Sequence, residues 1–554
     1  MIVTEEASQK ELATTEVSRP VAKQMVLGFL ALILLPALLQ VIWQAPQGKV
    51  FEEFSKFQIP PTRESLRAFE KALDSGSQLR QYFQPRLQGL LSGVGRFGTE
   101  KVTIGKNGWL YYAPGLSYLV GHSFLSPEFL RLRTKNMVDK EGDSDPHPNP
   151  LPALEQLAQD CKKWGIHLVL VPVPDKAMFV PEPLGAPDSS TLQNADFAGL
   201  TRRMEQLGAE VVTLNRSDYS VQAPWFLKQD THWTPAFMDA VATTVAKRLE
   251  SHLAATAAAP RFEMKPAPVA AIGDLVELLQ LSKDQTLYQT ESALAQQVID
   301  RQTSLPLVSD PNADVLLLGD SFSLIYSSNV LHWGESAGFG EHIAARLNRP
   351  VEIVAMNGSA ATGVRQELVR AAQDGRLQSK KVIVYEFTIR DLSSGSWKPL
   401  PLSNPPARKS IEPSAVKQPE VVSEKVTPPE PAVEKKPEVT IAAALAYPAE
   451  LTGTITFLSK SIDPTIAPYS DGLLYAKMKV EKVESGTYEP KEAIIIFVAM
   501  RDRKLLQGAA HKVGERLKVK VAPMRQAPPE YRSWQRSDDT DDFSLVPLFV
   551  LEEK

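Results

Sequence analysis

The sequence predicts an α/β chain built on a mostly parallel open sheet with helices on both faces. An N-terminal transmembrane helix and a small C-terminal all-β domain flank it. Three observations lead there. Short apolar runs alternate with helical patterns from residue 98 to residue 398. An uncharged run of 19 residues lies at Met25–Trp43. Past residue 439, apolar and charged residues alternate with the period of strands.

Residues 1–24 form a polar tail, expected to be cytoplasmic. The run at 25–43 carries one polar residue, Gln40, and ends on Trp43. A helix of that length covers roughly 29 Å at about 1.5 Å per residue, the thickness of a hydrocarbon core. It exceeds the usual apolar stretch of a cleaved signal peptide, and Pro46 follows Ala45 where a small-residue cleavage site is wanted. Residues 44–97 read as a helical neck, with Phe51, Phe54 and Phe57 at helical spacing, then Leu66, Phe69 and Leu73 after Pro60-Pro61.

In 98–398, buried parallel strands are expected at Ile166–Val171, Glu210–Leu214, Asp314–Leu318, Val351–Met356 and Lys381–Phe387. Helices are expected at Leu151–Trp164, at Pro235–Leu253 with Thr234 as N-cap, and at Thr362–Gln373. In such a sheet functional groups gather at the carboxyl ends of the strands. Residues 399–438 hold ten prolines in forty positions and no glycine, so they read as an extended spacer. Residues 439–554 read as a small barrel or sandwich of about five strands, the last at Phe543–Val550 and placed at an edge by Pro547.

Composition narrows the function. Lys and Arg number 61 against 65 Asp and Glu, a formal net charge of -4, which argues against a protein built to hold nucleic acid. The hydrophobic share of 43% is enough for real cores. A single cysteine, Cys161, allows no internal disulfide and no Cys-rich zinc site. The histidines show no metal-ligand spacing, and no Gly-rich phosphate loop is present.

Two short segments carry chemistry. Gly319-Asp320-Ser321-Phe322-Ser323 follows an apolar strand, so Ser321 projects from a sharp turn with its hydroxyl available. The same tripeptide also reads as an ordinary turn. Asp230-Thr231-His232-Trp233-Thr234 precedes a helix. A serine needs a base to take its proton, and the base needs a carboxylate to fix its tautomer. Asp230 and His232 supply both parts, or else the segment is only a helix cap.

Taken together and in this order, these segments resemble the alginate O-acetyltransferase family and its SGNH-hydrolase-like domain. Further stretches agree: Ile104-Gly105-Lys106-Asn107-Gly108-Trp109-Leu110-Tyr111-Tyr112, Val173-Pro174-Asp175-Lys176 with Pro181-Glu182, Gly273-Asp274-Leu275, and Tyr385-Glu386-Phe387 with Arg390. Ordinary SGNH esterases place the serine block first. Here Asp230 and His232 precede Ser321, as in the permuted arrangement of the acetyltransferases.

The resemblance implies that Ser321 is the nucleophile, that His232 is general base and then acid, and that Asp230 orients it. It implies an oxyanion hole from the Ser321 N–H with Asn357 and Gly358, and sugar contacts from Tyr326 and Arg390. For Asn357-Gly358 a simple turn is the equal alternative, and Tyr326 and Arg390 equally fit structural roles. No cofactor or metal is implied. The implied partners are an exported polysaccharide and a membrane-bound O-acyltransferase as acetyl donor, with a single-pass anchor in the bacterial inner membrane and the catalytic domain in the periplasm. An acetylesterase, or a non-catalytic polysaccharide-binding component of an export complex, are the alternatives. The proline segment and the β-domain lie outside the resemblance and leave the polymer open. Tyr469, Tyr475, Tyr488 and Trp534 of that domain are either sugar-stacking faces or core.

Overall fold

The computed structural model describes residues 18–44, 46, 59–63, 65–66, 69–70, 77–139, 141–186, 192–219, 224–256, 259–406, 448–464, 467 and 469–553. It divides into two compact units: residues 1–99 with 279–287, and residues 100–278 with 288–554.

In the first unit a helix runs over Arg19–Gln44 and a second over Gln78–Gly95. Ser77 caps the second, accepting from the Arg80 N–H at 3.3 Å. The expected span at 25–43 thus falls on a helix. Among the described residues, however, no helix is long and apolar enough to cross a membrane. Phe51, Phe54, Phe57 and Leu73 of the expected neck, and residues 1–17 of the expected tail, lie outside the described residues.

In the second unit, β1 (Val102–Ile104) and β2 (Leu110–Tyr112) form an antiparallel hairpin. β3 (His167–Val173) and β4 (Glu210–Val211) follow. β5 (Phe262–Ala271), β6 (Glu291–Asp300) and β7 (Leu305–Pro306) make a separate antiparallel sheet. β8 (Val315–Gly319), β9 (Glu352–Ala355) and β10 (Val382–Thr388) complete the main sheet, whose order is β4-β3-β10-β8-β9, parallel throughout.

The apolar runs are strands because both their faces are covered. Val169, Val171, Val315, Leu317, Val382 and Val384 face one core with the helices Pro235–Leu249 and Phe339–Leu347. Leu168, Leu170, Leu316, Leu318, Ile383 and Tyr385 face the other, with Pro150–Trp164 and Gly363–Gln373. Thr234 does cap its helix, and Pro235 takes the first helical position. That helix ends at Leu249 rather than Leu253, where a 3₁₀ turn over Glu250–His252 replaces it. The β5–β6 hairpin is not among the sequence-derived elements, since Pro266 and Pro268 stand within its first strand and prolines there argue against a paired strand.

The C-terminal strands are β11 (Ala449–Leu458), β12 (Gly472–Ser485), β13 (Glu492–Arg501), β14 (Lys504–Leu505), β15 (Arg516–Pro523), β16 (Gln535–Ser537) and β17 (Leu548–Glu553). Pairings run β11–β12–β13–β17–β15 and back to β11, which closes a five-stranded barrel with one parallel pair, β13–β17. This is the strand order of an OB-type barrel. Pro547 does not put the last strand at an edge: it precedes β17, which pairs on both sides. Tyr475, Tyr488 and Trp534 belong to the barrel cores.

Most of the expected spacer lies outside the described residues, which exclude 407–447. Its start is not extended spacer. Leu400 and Leu402 are buried in the α/β core, and the Leu402 N–H donates to Asp160 Oδ2 at 2.9 Å. The barrel packs on the α/β layer within one unit. Arg370 joins Glu367 and Asp538 at 2.8 Å each, and Arg536 reaches Glu367 at 2.9 Å.

Arg370 and Asp538 are only 8% and 4% exposed, so each needs the other. Arg370→Ala strands the Asp538 carboxylate. It should lower the stability of this unit by about 3–5 kcal/mol, read as a lower urea midpoint. Arg370→Lys keeps the charge but loses the forked geometry, and should fall between the two.

Candidate active site

The loop before the helix Pro235–Leu249 is fixed by its own backbone. Phe226 and Trp233 form a β-bridge, the Leu227 N–H donates to the His232 carbonyl at 3.0 Å, and the Thr234 N–H to that of Trp225 at 2.9 Å. Glu291 on β6 accepts from the Lys228 and Gln229 N–H groups at 2.8 and 3.0 Å. Lys176 donates to the Leu110 carbonyl at 2.7 Å and to that of Lys228 at 3.4 Å, tying the β1–β2 hairpin to this loop. Burial brings its ammonium down to about 8, against the pull of neighbouring carboxylates.

The loop holds a buried ion pair. His232 Nδ1 donates to Asp230 Oδ1 at 2.6 Å, and the His232 backbone N–H reaches the same oxygen at 3.1 Å. Asp230 Oδ2 accepts from the Asp274 N–H at 3.0 Å and from Trp333 Nε1 at 2.9 Å. Four donors therefore saturate one carboxylate. Burial alone drives Asp230 up, but the His232 charge and these bonds outweigh it and hold the carboxyl below its ordinary range. Burial lowers His232, and the Asp230 charge more than reverses this, so the imidazole titrates above its usual value.

Asp274 is the residue that local reading left without a role. It accepts from the Thr231 N–H and hydroxyl, both at 2.7 Å. Burial, then the Asp230 charge, raises it to about 6. Gly273 must lack a side chain, because a Cβ there would run into the Gln229 carbonyl and come within 2.6 Å of the Asp230 nitrogen. The Gly273-Asp274-Leu275 motif was the signal for this corner. Trp333 had no signal in its neighbourhood.

Ser321 opens a short helix, Ser321–Leu324, at the end of β8. Asp320 caps it through Phe322 N–H at 2.8 Å. A Cβ at Gly319 would overlap Ser323 Oγ and come within 2.9 Å of Glu386 Oε2. Glu386 braces the turn, accepting from Ser323 Oγ at 2.7 Å and from the Asp320 N–H at 3.1 Å. Burial, then the Asp320 charge, pushes its carboxyl far above the carboxylate range.

The two segments meet. The His232 ring lies 4.6 Å from that of Phe322, and Trp233 Nε1 donates to the Phe322 carbonyl at 3.0 Å. Ser321, His232 and Asp230 are 1%, 2% and 2% exposed. Among the described residues His232 Nε2 has no hydrogen-bond partner. Ser321 Oγ is instead bonded by the Tyr469 hydroxyl at 2.7 Å.

The other expected residues divide. Asn357 is buried with Oδ1 unpartnered, but its N–H donates to the Ser533 carbonyl of the barrel at 3.0 Å and so is not free for an oxyanion. Gly358 is exposed. Tyr326 lies in the core, with its hydroxyl on the Trp233 carbonyl at 2.7 Å. Arg390 stands over Tyr112 and Phe322, 5.1 and 5.6 Å from the ring centres. Asp230, His232 and Asp274 lie close enough to hold a metal, as do His167, Glu210 and His252. In the first group Asp230 Oδ1 and His232 Nδ1 are already spent on each other, and Asp230 Oδ2 on the Asp274 N–H and Trp333 Nε1.

The family model described as "SGNH hydrolase-like domain, acetyltransferase AlgX" (ALGX) matches residues 102–389, from the first strand to the end of the main sheet. The chain belongs to this family. Its domain resembles three solved structures. The O-acetyltransferase domain of Pseudomonas putida AlgJ is 20% identical, with a TM-score of 0.39, over 53% of this chain and 92% of that one. Pseudomonas aeruginosa AlgX is 17% identical, with a TM-score of 0.37, over 53% and 66%. Bacillus cereus PatB1 is 12% identical, with a TM-score of 0.31, over 54% and 98%. Among curated proteins no relative matches the sequence. The family match ends before the barrel.

The raised imidazole fixes a sign. A base must be neutral, and neutral His232 is lost as pH falls through its raised value. The acid limb of kcat/KM for acetyl-ester turnover should therefore lie above pH 6.5, the ordinary imidazole value. Asp230→Asn removes the strongest pull upward and leaves burial opposed only by the weaker Asp274 and Asp320 charges. It should move the limb to lower pH while slowing the reaction by about 10³- to 10⁴-fold.

Proposed function

We propose that this chain is a polysaccharide O-acetyltransferase that works through an acetyl ester on Ser321. The observation that carries the reading is the buried Asp230–His232 pair, at 2.6 Å, with the far nitrogen of its imidazole unpartnered beside the Ser321 turn. Family membership supports the reaction class.

In the first half, His232 Nε2 takes the Ser321 proton as Oγ bonds to the acetyl carbonyl carbon. The carbonyl electrons return, the bond to the donor breaks, and the donor oxygen leaves with the proton from His232. In the second half, His232 deprotonates a sugar hydroxyl, which attacks the acetyl carbon. Ser321 Oγ then leaves and is reprotonated. Asp230 remains ionised and steadies the imidazolium. Oxyanion donors would come from the Ser321 N–H and the Gly358 end of the turn, the Asn357 N–H being held by the Ser533 carbonyl.

Burial of the nucleophile favours transfer over hydrolysis, since the acyl ester sits away from bulk water. The acceptor is an exported polysaccharide, and the acetyl donor arrives through a membrane-bound O-acyltransferase. The uncharged run at 25–43 anchors the chain in the bacterial inner membrane with the site in the periplasm. That placement draws on sequence alone, and alkaline extraction of membranes tests it: release of the chain would remove the anchor.

Purified protein given p-nitrophenyl acetate, with and without acetylatable oligosaccharide, tests the reaction. Acetylated sugar should appear when oligosaccharide is present. Ser321→Ala and His232→Ala should each abolish it while leaving the fold intact. Free acetate as the sole product in both mixtures would make the chain an esterase. Full transfer by Ser321→Ala would remove the acyl-serine.

A further inference from the structure

The barrel supplies a hydroxyl to the nucleophile. Residues 459–471 connect β11 to β12 and carry Tyr469 to Ser321 Oγ, at 2.7 Å. Its described residues are held at several points. Ile462 and Ala467 are buried with Leu474, Ala499 and Met500. Arg503 donates to the Pro464 and Ala467 carbonyls at 3.2 and 3.0 Å, and its own N–H to the Ser470 carbonyl at 2.8 Å. The Lys460 N–H bonds Asp539 Oδ2, and the Asp539 N–H bonds Ser459 Oγ, both at 2.9 Å. The second long barrel connection, between β15 and β17, presents Ser533 to the Asn357 N–H and Asp538 to Arg370.

We propose that Tyr469 is a catalytic residue donated by the C-terminal barrel: its phenol hydrogen-bonds Ser321 Oγ and stabilises the negative charge that this oxygen carries during acyl transfer. The inference rests on Ser321 being the nucleophile. The oxygen has room for every role. One direction holds its own hydrogen, destined for His232 Nε2. One lone pair accepts from Tyr469, and the other attacks the acetyl carbon. As the proton leaves, charge grows on Oγ and the phenol bond strengthens, as hydrogen bonds to ionised oxygens do. When the sugar displaces the enzyme, Oγ is the leaving group and meets the same donor. No bond to Tyr469 forms or breaks. Burial, then the Asp320 charge, keeps the phenol far from ionising, so it remains a donor throughout.

The test uses the full chain with p-nitrophenyl acetate, beside inactivation by a fluorophosphonate, which reacts at an activated serine. Tyr469→Phe keeps the ring and removes only the hydroxyl. It should lower kcat and the inactivation rate together, by about 10- to 100-fold, with KM and the melting temperature unchanged. Wild-type rates in Tyr469→Phe, with Ser321→Ala inert, would overturn the role of Tyr469 and leave the nucleophile standing. A faster Tyr469→Phe enzyme would overturn it too, by making the tyrosine a cover. An active Ser321→Ala enzyme would instead overturn the acyl-serine itself. Should the phenylalanine variant not fold, a fluorinated tyrosine at 469 keeps the shape and makes the phenol more acidic. As a stronger donor it should change kcat and the inactivation rate together, and unchanged rates would overturn the assignment.

Discussion

The site depends on one buried carboxylate. Asp230 lies almost wholly out of water, where an ionised group survives only if its oxygens are filled. Two of its four donors come from His232, in the same loop. The other two, the Asp274 N–H and Trp333 Nε1, come from segments 44 and 103 positions away. The imidazole thus acquires its tautomer and its raised basicity only when three stretches of chain meet. Much of the surrounding structure serves that meeting: the absent side chain at Gly273, the Glu291 carboxylate under the Lys228 and Gln229 amides, and the Lys176 tether to the first hairpin.

The main sheet was legible in the sequence because strands covered on both faces are written as continuous apolar runs. All five runs became parallel strands within a few residues of their expected limits. Asp230, His232 and Ser321 were legible for another reason: each lies in a short segment where a cap, a turn and a reactive group coincide. What was not legible is long-range. Nothing near Trp333 says that its indole ends on Asp230, and the prolines of β5 hide a paired strand. Asn357 looked like an oxyanion donor because it follows a strand in the right place. Only the fold reveals that its N–H is already taken by Ser533.

The barrel was legible as strands but not in how it attaches. Its strands alternate visibly, whereas its attachment rests on Arg370, Glu367, Arg536 and Asp538, which have no common pattern in sequence. Orientation has to come from contacts that tolerate one arrangement, and a buried ionic cluster is of that kind. Removing Arg370 takes the ionic partner from Asp538, and removing Glu367 takes it from Arg536, in a place where water replaces it poorly.

That rigidity bears on what the reaction can be. Transfer and hydrolysis share one acyl-enzyme, so the outcome turns on whether water or a sugar hydroxyl occupies the space beside it. In this chain the two long barrel connections reach the two turns that flank that space, one ending on Ser321 and the other on Asn357. The α/β layer alone would leave Ser321 Oγ without the Tyr469 hydroxyl and the Asn357 N–H without the Ser533 carbonyl. Ser321 itself is 1% exposed, and Tyr469 beside it is half-buried. The appended domain therefore covers two turns at the carboxyl end of the main sheet, the one at Ser321 and the one at Asn357.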